Sequence, residues 1–259
     1  MQSKNIIVIT GDQLRHKYFV NQLNARFPLA AVFHESFHYP EQSSSIDENQ
    51  LAWDWFFSRR EAYEQDHFAS SESLEMQNQP VVEAVSSKHI NSAEFIDKLG
   101  KYDPGFIAIY GTGKFGPAYL ERFSKITYNL HLGLPHLYRG SSCNFWPIHE
   151  MDLENIGSTV HQVEAGLDTG KIAAQGVVAL KEEDDEQTLG GRTLKIGTQL
   201  MIDTIQKWRD GKLNLRAQSE RGKLYLIKDF TPQAARRVKK MVDSGQLRKA
   251  IHKIKQQSR

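Results

Sequence analysis

The chain has 259 residues, with 33 basic and 31 acidic side chains, a net charge of +2 and 39% hydrophobic residues. This balance is ordinary for a globular protein and gives no reason to expect nucleic acid as a partner. Cys143 is the one cysteine, so an intrachain disulfide is excluded and a reducing compartment is favoured. The apolar run Ile6–Ile9 is too short for a signal peptide, and no stretch approaches the roughly 20 apolar residues of a membrane helix. We expect a cytoplasmic protein without a membrane segment.

The N-terminal part of the chain alternates between strand and helix patterns. Ile6–Ile9 predicts a buried strand, Phe19–Phe27 has helical spacing, and Leu29–Phe33 predicts a second strand. A strand–helix–strand opening favours a parallel sheet with crossover helices. Pro40–Ser45 predicts a loop. Residues 48–68 predict a helical insertion rich in aromatic residues, which either cover a core or partner or line a ligand site.

The middle of the chain continues the same alternation. Ser92 is a candidate N-cap of a short helix, and residues 187–208 predict a long helix. Further strands are predicted at Val81–Val85, Phe106–Tyr110, Thr127–Leu132, Thr159–Val163 and Ile172–Leu180.

The last part of the chain has a different character. Leu213–Leu226 predicts a hairpin, and Thr231 followed by Pro232 predicts a helix start. From Pro232 onward, nine basic residues stand against one acid, Asp243. One interpretation is a set of amphipathic helices packed on the protein with a solvated basic side. The other is a patch for a phosphate-bearing substrate or RNA.

A glycine-rich segment follows the strand that ends at Tyr110. Gly111, Gly113 and Gly116 formally match a dinucleotide fingerprint, but they do not follow the first strand. A nicotinamide cofactor is therefore disfavoured. A loop whose backbone can approach a flat ligand is the better interpretation.

Two strands carry polar side chains that a core would have to satisfy or use. Asn129 and His131 alternate with apolar residues, so both side chains point to the same side of their strand. His161 lies on a later strand, and Asp168 follows it in a turn. Buried amide and imidazole groups must find partners or perform chemistry.

These segments, taken in order, resemble the folate-dependent formyltransferase family. The resemblance rests on Asn129-Leu130-His131 with Pro135, on Tyr138-Arg139-Gly140, on Thr159-Val160-His161 and on Gly166–Gly170, and it runs from the first strand to about residue 205. The family includes glycinamide ribonucleotide transformylase, methionyl-tRNA formyltransferase and sugar-nucleotide N-formyltransferases. The resemblance implies an α/β fold, with a Rossmann-like, doubly wound and mostly parallel sheet. It implies a catalytic domain over residues 1–205 and a small basic extension over residues 206–259.

The resemblance also implies an enzyme that moves a formyl group from 10-formyltetrahydrofolate to an amine without a metal. In that chemistry the Asn129 amide donates to the developing oxyanion, and His131 shuttles the proton. Asp168 holds the imidazole and stabilises its charged form. The residues implied in folate binding are Thr112, Gly113, Lys114 and Phe115, although Phe115 alternatively belongs to the core. His161 contacts substrate or is structural.

The resemblance does not decide which amine accepts the formyl group. The stretch after residue 205 is too short for the barrel domain of methionyl-tRNA formyltransferases, and glycinamide ribonucleotide transformylases lack such an aromatic insertion. A nucleotide-linked amino sugar for polysaccharide synthesis is therefore favoured, with Arg15 and His16 either contacting its phosphates or forming an exposed helical turn. Glycinamide ribonucleotide, methionyl-tRNA or an amino acid as acceptor, a non-catalytic folate- or nucleotide-binding relative, and an RNA-binding module are the alternatives. Dimerisation through the aromatic insertion or the C-terminal segment also stays open.

Overall fold

A seven-stranded sheet forms the centre of the protein. The computed structural model describes residues 4–36, 47–74 and 79–257. The strand order is β3-β2-β1-β4-β5-β7-β8. The first five strands are parallel, and β7 pairs antiparallel with both β5 and the edge strand β8. The predicted Rossmann-like, mostly parallel sheet is confirmed. The strands are β1 Asn5–Thr10, β2 Leu29–Glu35, β3 Val81–Val85, β4 Pro104–Tyr110, β5 Thr127–His131, β6 Tyr138–Gly140, β7 Gly157–Gln162, β8 Ile172–Val177 and β9 Lys223–Tyr225.

Helices cover both faces of the sheet, as expected for parallel strands joined by crossovers. Two of them begin at the predicted caps: the Ser92 side chain accepts from the Phe95 N–H, and the Thr231 side chain accepts from the Ala234 N–H. The helices are α1 Leu14–Asn24, α2 Glu48–Phe68, α3 Ala93–Lys101, α4 Pro117–Phe123, α5 Trp146–His149, α6 Glu186–Arg209, α7 Pro232–Asp243 and α8 Gln246–Gln257.

Strand β1 shows how the sheet separates two cores. Its alternate residues point to opposite faces, so Ile6 and Val8 pack on one side with residues of α1 and α6. Ile7 and Ile9 pack on the other side with residues of α3 and α4. The continuous apolar run of this strand is explained by its burial on both faces.

A third core forms around the aromatic residues of α2. Trp53 and Phe56 pack against Phe145 and Phe230, in the cluster that also contains Ile251 of α8. Trp53 and Phe56 thus cover a core, as one alternative predicted, whereas Tyr63 and Phe68 of the same helix also line a cavity. The cluster contains residues from both sides of position 205. The division into a catalytic domain and a C-terminal extension stays a prediction, as does dimerisation.

The predicted hairpin at Leu213–Leu226 is wrong. Its residues pair with other parts of the chain: β9 runs parallel to β6, and Arg216 forms a bridge with Ile172 at the start of β8. Leu213 and Leu215 pack against the core that contains α1 and α6. The contacts of this segment with distant parts of the chain therefore outweigh the pairing of its two halves in a hairpin. The predicted loop at Pro40–Ser45 lies outside the described residues.

The basic C-terminal segment forms two amphipathic helices. Val238, Leu247 and Ile251 are buried, whereas the basic residues Arg237 and Lys240 are exposed. The predicted packing of amphipathic helices with a solvated basic side is confirmed, and binding of a phosphate-bearing substrate or RNA by that side stays a prediction. Across the three described ranges, none of the helices is long and apolar enough to cross a bilayer.

Phe230 tests the third core, because its ring contacts aromatic residues of both α2 and the segment before α5. Phe230→Ala should lower the free energy of unfolding by about 3–5 kcal/mol, the usual cost of deleting a buried ring. Val177→Ala, at a side chain that is 54% exposed, should stay within about 0.5 kcal/mol. Chemical denaturation of both variants measures this. Equal small effects would show that the aromatic cluster contributes little.

Candidate active site

Strand register brings the predicted polar residues together. Asn129 on β5 lies beside Ile109 on β4 and opposite His161 on β7. His131 ends β5, two residues further along the same face. The amide and both imidazoles are thus fixed by the sheet.

Asp168 reaches the same place from the turn between β7 and β8. Its backbone has φ of +54°, a left-handed conformation that aspartate tolerates better than most residues. The turn returns closely to β7, since a Cβ at Gly170 would collide with the Gln162 carbonyl. Only glycine allows this approach, which holds Asp168 over the end of the sheet.

The Asp168 carboxylate divides its contacts between its two oxygens. Oδ1 accepts from Asn129 Nδ2 at 3.3 Å and lies 3.2 Å from His161 Nε2. Oδ2 accepts from the Gly140 N–H at 2.7 Å and lies 3.4 Å from His131 Nδ1. We call Asn129, His131, His161 and Asp168 the Asp168 cluster.

The charge on Asp168 is stabilised despite its burial. The side chain is 9% exposed, and burial alone would raise its pKa. The charge that His131 carries when protonated, the hydrogen bond from His161 and the Gly140 N–H outweigh burial and hold the pKa of Asp168 well below its usual range. The carboxylate is therefore ionised at neutral pH.

His131 has one ring nitrogen on a carbonyl and the other beside the carboxylate. Nε2 lies 3.0 Å from the Tyr138 carbonyl oxygen, so this nitrogen carries the hydrogen of the neutral ring. Burial lowers the pKa of His131 below 6.5, although the Asp168 charge opposes this shift. A neutral ring at pH 7 has its lone pair on Nδ1, where a gained proton would face Asp168.

His161 is placed as a partner of Asp168 and Asn129. Its Nδ1 lies 2.7 Å from the Gln162 carbonyl oxygen, and its Nε2 lies 3.2 Å from Asn129 Nδ2. The side chain is 3% exposed. Its predicted contact with substrate stays a prediction, while the structure gives it a place in the polar network.

One cavity of about 700 Å³ contains the Asp168 cluster. The glycine-rich loop that follows β4 lines it, including all four residues predicted to bind folate: Thr112, Gly113, Lys114 and Phe115. Lys114 is exposed, whereas the Phe115 ring is buried and stacks on Tyr119 at 4.0 Å. Phe115 therefore packs in the core as well as bordering the cavity.

Arg15 and His16 line the same cavity. Arg15 Nη1 donates to Glu64 of α2 at 2.7 Å. His16 is buried, and its Nδ1 accepts from the Gln13 N–H at 3.2 Å, so it caps the start of α1. Burial, followed by the charges of Arg15 and Arg60, lowers the pKa of His16 well below its ordinary value. Their predicted binding of phosphates stays a prediction.

The sequence did not single out three supports of Asp168. The Gly140 N–H, the Tyr138 carbonyl and the Gln218 side chain each contact the Asp168 turn or its histidine partner. Gln218 Nε2 donates to the Asp168 and Gly170 carbonyls at 2.9 and 2.6 Å. Tyr138 and Gly140 belong to the Tyr138-Arg139-Gly140 motif, but they act through backbone groups, which no pattern of side chains in the sequence can reveal. Gln218 lies in the segment that was wrongly predicted to form a hairpin.

Comparison with known proteins adds to this geometry. Residues 61–205 match the model of the formyl transferase family. The methionyl-tRNA formyltransferase of Caldanaerobacter subterraneus subsp. tengcongensis is 29% identical over 136 residues, which are 52% of this chain and 44% of that protein. The chain thus spans less than half the length of this curated relative.

Two solved structures show the same fold. A sugar N-formyltransferase from a Shewanella species has a TM-score of 0.58 and 15% identity, over 87% of this chain and 78% of that chain. Glycinamide ribonucleotide transformylase 1 from Symbiobacterium toebii has a TM-score of 0.58 and 16% identity, over 85% of this chain and 96% of that chain.

The matched segment contains the whole Asp168 cluster and the loop that lines its cavity. Because the family model covers more than half of the sequence, this chain belongs to the formyl transferase family.

Proposed function

We propose that the protein transfers the formyl group of 10-formyltetrahydrofolate to the amino group of a nucleotide-linked amino sugar. The observation that carries this proposal is the convergence of Asn129 and His131 on Asp168 in a single cavity. The three residues supply a hydrogen-bond donor, a proton carrier and a fixed negative charge. Transfer of a formyl group to an amine needs these three functions.

Asn129 acts as the donor to developing negative charge. Its amide already donates to a carboxylate oxygen, so its N–H group is oriented toward an anion by the fold. When the amine attacks the formyl carbon, negative charge develops on the formyl oxygen. A fixed N–H group stabilises that charge without having to reorganise.

His131 carries the proton. The neutral ring receives the proton that the attacking amine must lose, and Asp168 stabilises the resulting imidazolium across 3.4 Å. As the bond between the formyl carbon and the folate nitrogen breaks, the same proton passes to that nitrogen. Atoms and charge balance without a metal or a covalent enzyme intermediate.

The residues around the cluster fit a flat donor molecule. The apolar side chains Ile109, Leu132 and Val163 line the cavity between the glycine-rich loop and the Asp168 turn. Thr112, Gly113, Lys114 and Phe115 would bind the pteridine, largely through backbone groups. The bound donor supplies an electrophilic formyl carbon on a nitrogen leaving group.

The acceptor would enter at the end of the cavity lined by Gly11, Arg15 and His16. This end follows β1, and ligands of open α/β sheets bind beyond the carboxyl ends of strands. A guanidinium there suits the phosphates of a nucleotide, because its planar N–H groups match phosphate oxygens. A sugar N-formyltransferase and a glycinamide ribonucleotide transformylase share this fold equally, so the test of the proposal includes both kinds of acceptor.

A turnover assay with purified protein tests the proposal. Tetrahydrofolate release should occur with 10-formyltetrahydrofolate and one acceptor from a panel of nucleotide-linked amino sugars, glycinamide ribonucleotide and methionyl-tRNA. His131→Ala should lower kcat by about 10²–10⁴, and Asn129→Ala by about 10²–10³.

His252→Ala, at an exposed histidine of α8, is the matched control and should keep full activity. Release with glycinamide ribonucleotide or methionyl-tRNA alone would reject the amino sugar but keep the chemistry. No release with any amine would reject the enzyme itself.

The pKa of His131 tests the role of Asp168. Because the Asp168 charge raises the imidazole pKa against the effect of burial, Asp168→Asn should move the pKa of His131 further below 6.5. Titration of the imidazole nitrogens by NMR measures it, with His131→Gln used to assign the signal. Asp243→Asn, at an exposed acid on α7, should leave this pKa unchanged. A higher pKa in Asp168→Asn would contradict the charge pairing.

Arg15 can be tested through the acceptor alone. Arg15→Ala should raise KM for the acceptor by about tenfold, the loss of one charge-assisted hydrogen bond, while KM for the folate stays the same. Arg26→Ala removes an equal charge at an exposed site beyond the end of α1 and serves as control. An unchanged acceptor KM in Arg15→Ala would remove this residue from the site.

A further inference from the structure

The glycine-rich loop of residues 111–116 is hydrogen-bonded by two side chains, Asn91 and Glu35, that belong to none of the motifs quoted for the resemblance. Asn91 precedes α3, and its amide makes two hydrogen bonds with the loop. Nδ2 donates to the Lys114 carbonyl at 3.0 Å, and Oδ1 accepts from the Gly116 N–H at 2.6 Å. The amide thus uses both its donor and its acceptor on backbone groups, as a neighbouring strand would.

Glu35 holds the same loop from the end of β2. Its residue is 1% exposed, and its Oε2 accepts from the Gly113 N–H at 2.8 Å. A Cβ at position 113 would lie 2.9 Å from Glu35 Oε1, too close for most side chains. Glycine at this position therefore allows the buried carboxylate to approach the backbone.

We infer that Glu35 and Asn91 are positioning residues for the formyl donor. They bind the Gly113 N–H, the Lys114 carbonyl and the Gly116 N–H from the side of β2 and α3. These hydrogen bonds set the conformation of the loop, whose other side is a wall of the cavity. A wall that recognises a heteroaromatic edge through its backbone must hold its peptide groups within a few tenths of an ångström of the required positions. The inference rests on the donor site of the proposed function.

The hydrogen bonds of Glu35 and Asn91 require different chemical groups. Gly113 needs only an acceptor, so a neutral amide oxygen can replace the Glu35 carboxylate. Asn91 must both donate and accept, so neither aspartate nor alanine can replace it. This difference gives each position its own informative substitution.

Binding of 5-formyltetrahydrofolate, followed by calorimetry, is the first measurement. Asn91→Ala and Glu35→Ala should each weaken binding by about tenfold, and Glu35→Gln should bind as the wild type does. Asn5→Ala is a matched control, because Asn5 Nδ2 also donates to a backbone carbonyl, that of Tyr102. In turnover, the loss should appear in KM for the folate and not in KM for the acceptor.

Hydrogen exchange of the loop is the second measurement, and it needs no ligand. The amides of Gly113 and Gly116 should exchange about tenfold faster in Glu35→Ala and Asn91→Ala respectively, and not in Asn5→Ala. Unchanged exchange, or unchanged folate binding in both alanine variants, would overturn the inference. A wild-type protein that binds no 5-formyltetrahydrofolate would instead reject the proposed donor, while exchange still decides whether the two side chains position the loop.

Discussion

A buried carboxylate is the constraint on which the rest of the site depends. Asp168 can stay ionised at 9% exposure only because Asn129, His131, His161 and the Gly140 N–H surround it. Each of these groups comes from a different strand position or loop, so the carboxylate fixes how the loops meet the sheet. The same arrangement leaves donors and a proton acceptor oriented toward negative charge before any ligand binds. Such preorganisation is the main way in which a site stabilises a developing oxyanion.

The supports of this carboxylate extend beyond the segment that the family model matches. Gln218 donates to two carbonyls of the Asp168 turn, and β9 pairs with the strand that contains Gly140. The segment after β9 is in turn held by Phe230, which packs among the aromatic side chains of α2. The C-terminal segment and the aromatic helix therefore stabilise each other and the turn that carries the acid. A polar site at the end of a sheet thus depends on an apolar cluster beside it.

The sequence predicts the parts of this structure that depend on local pattern. Continuous apolar runs such as Ile6–Ile9 identify buried strands, and the alternation around Asn129 and His131 correctly places both side chains on one side of β5. The pairing of His161 with Asn129 depends on register between distant strands, which no local pattern records. The same reason explains the wrong hairpin, since the three residues of β9 are too few to indicate a distant parallel partner.

His16 and His131 are both buried, and the charges next to each histidine explain why one has a structural role and the other a chemical role. Burial lowers the pKa of both His16 and His131. Near His16 the charges are those of Arg15 and Arg60, which lower its pKa further and keep the ring neutral as a cap for α1. Near His131 the charge is that of Asp168, which opposes the effect of burial on the pKa and favours the protonated ring. A histidine beside a negative charge can gain and lose a proton in each reaction cycle, whereas one beside positive charges stays neutral. The sign of the adjacent charge therefore identifies His131, and not His16, as the proton carrier.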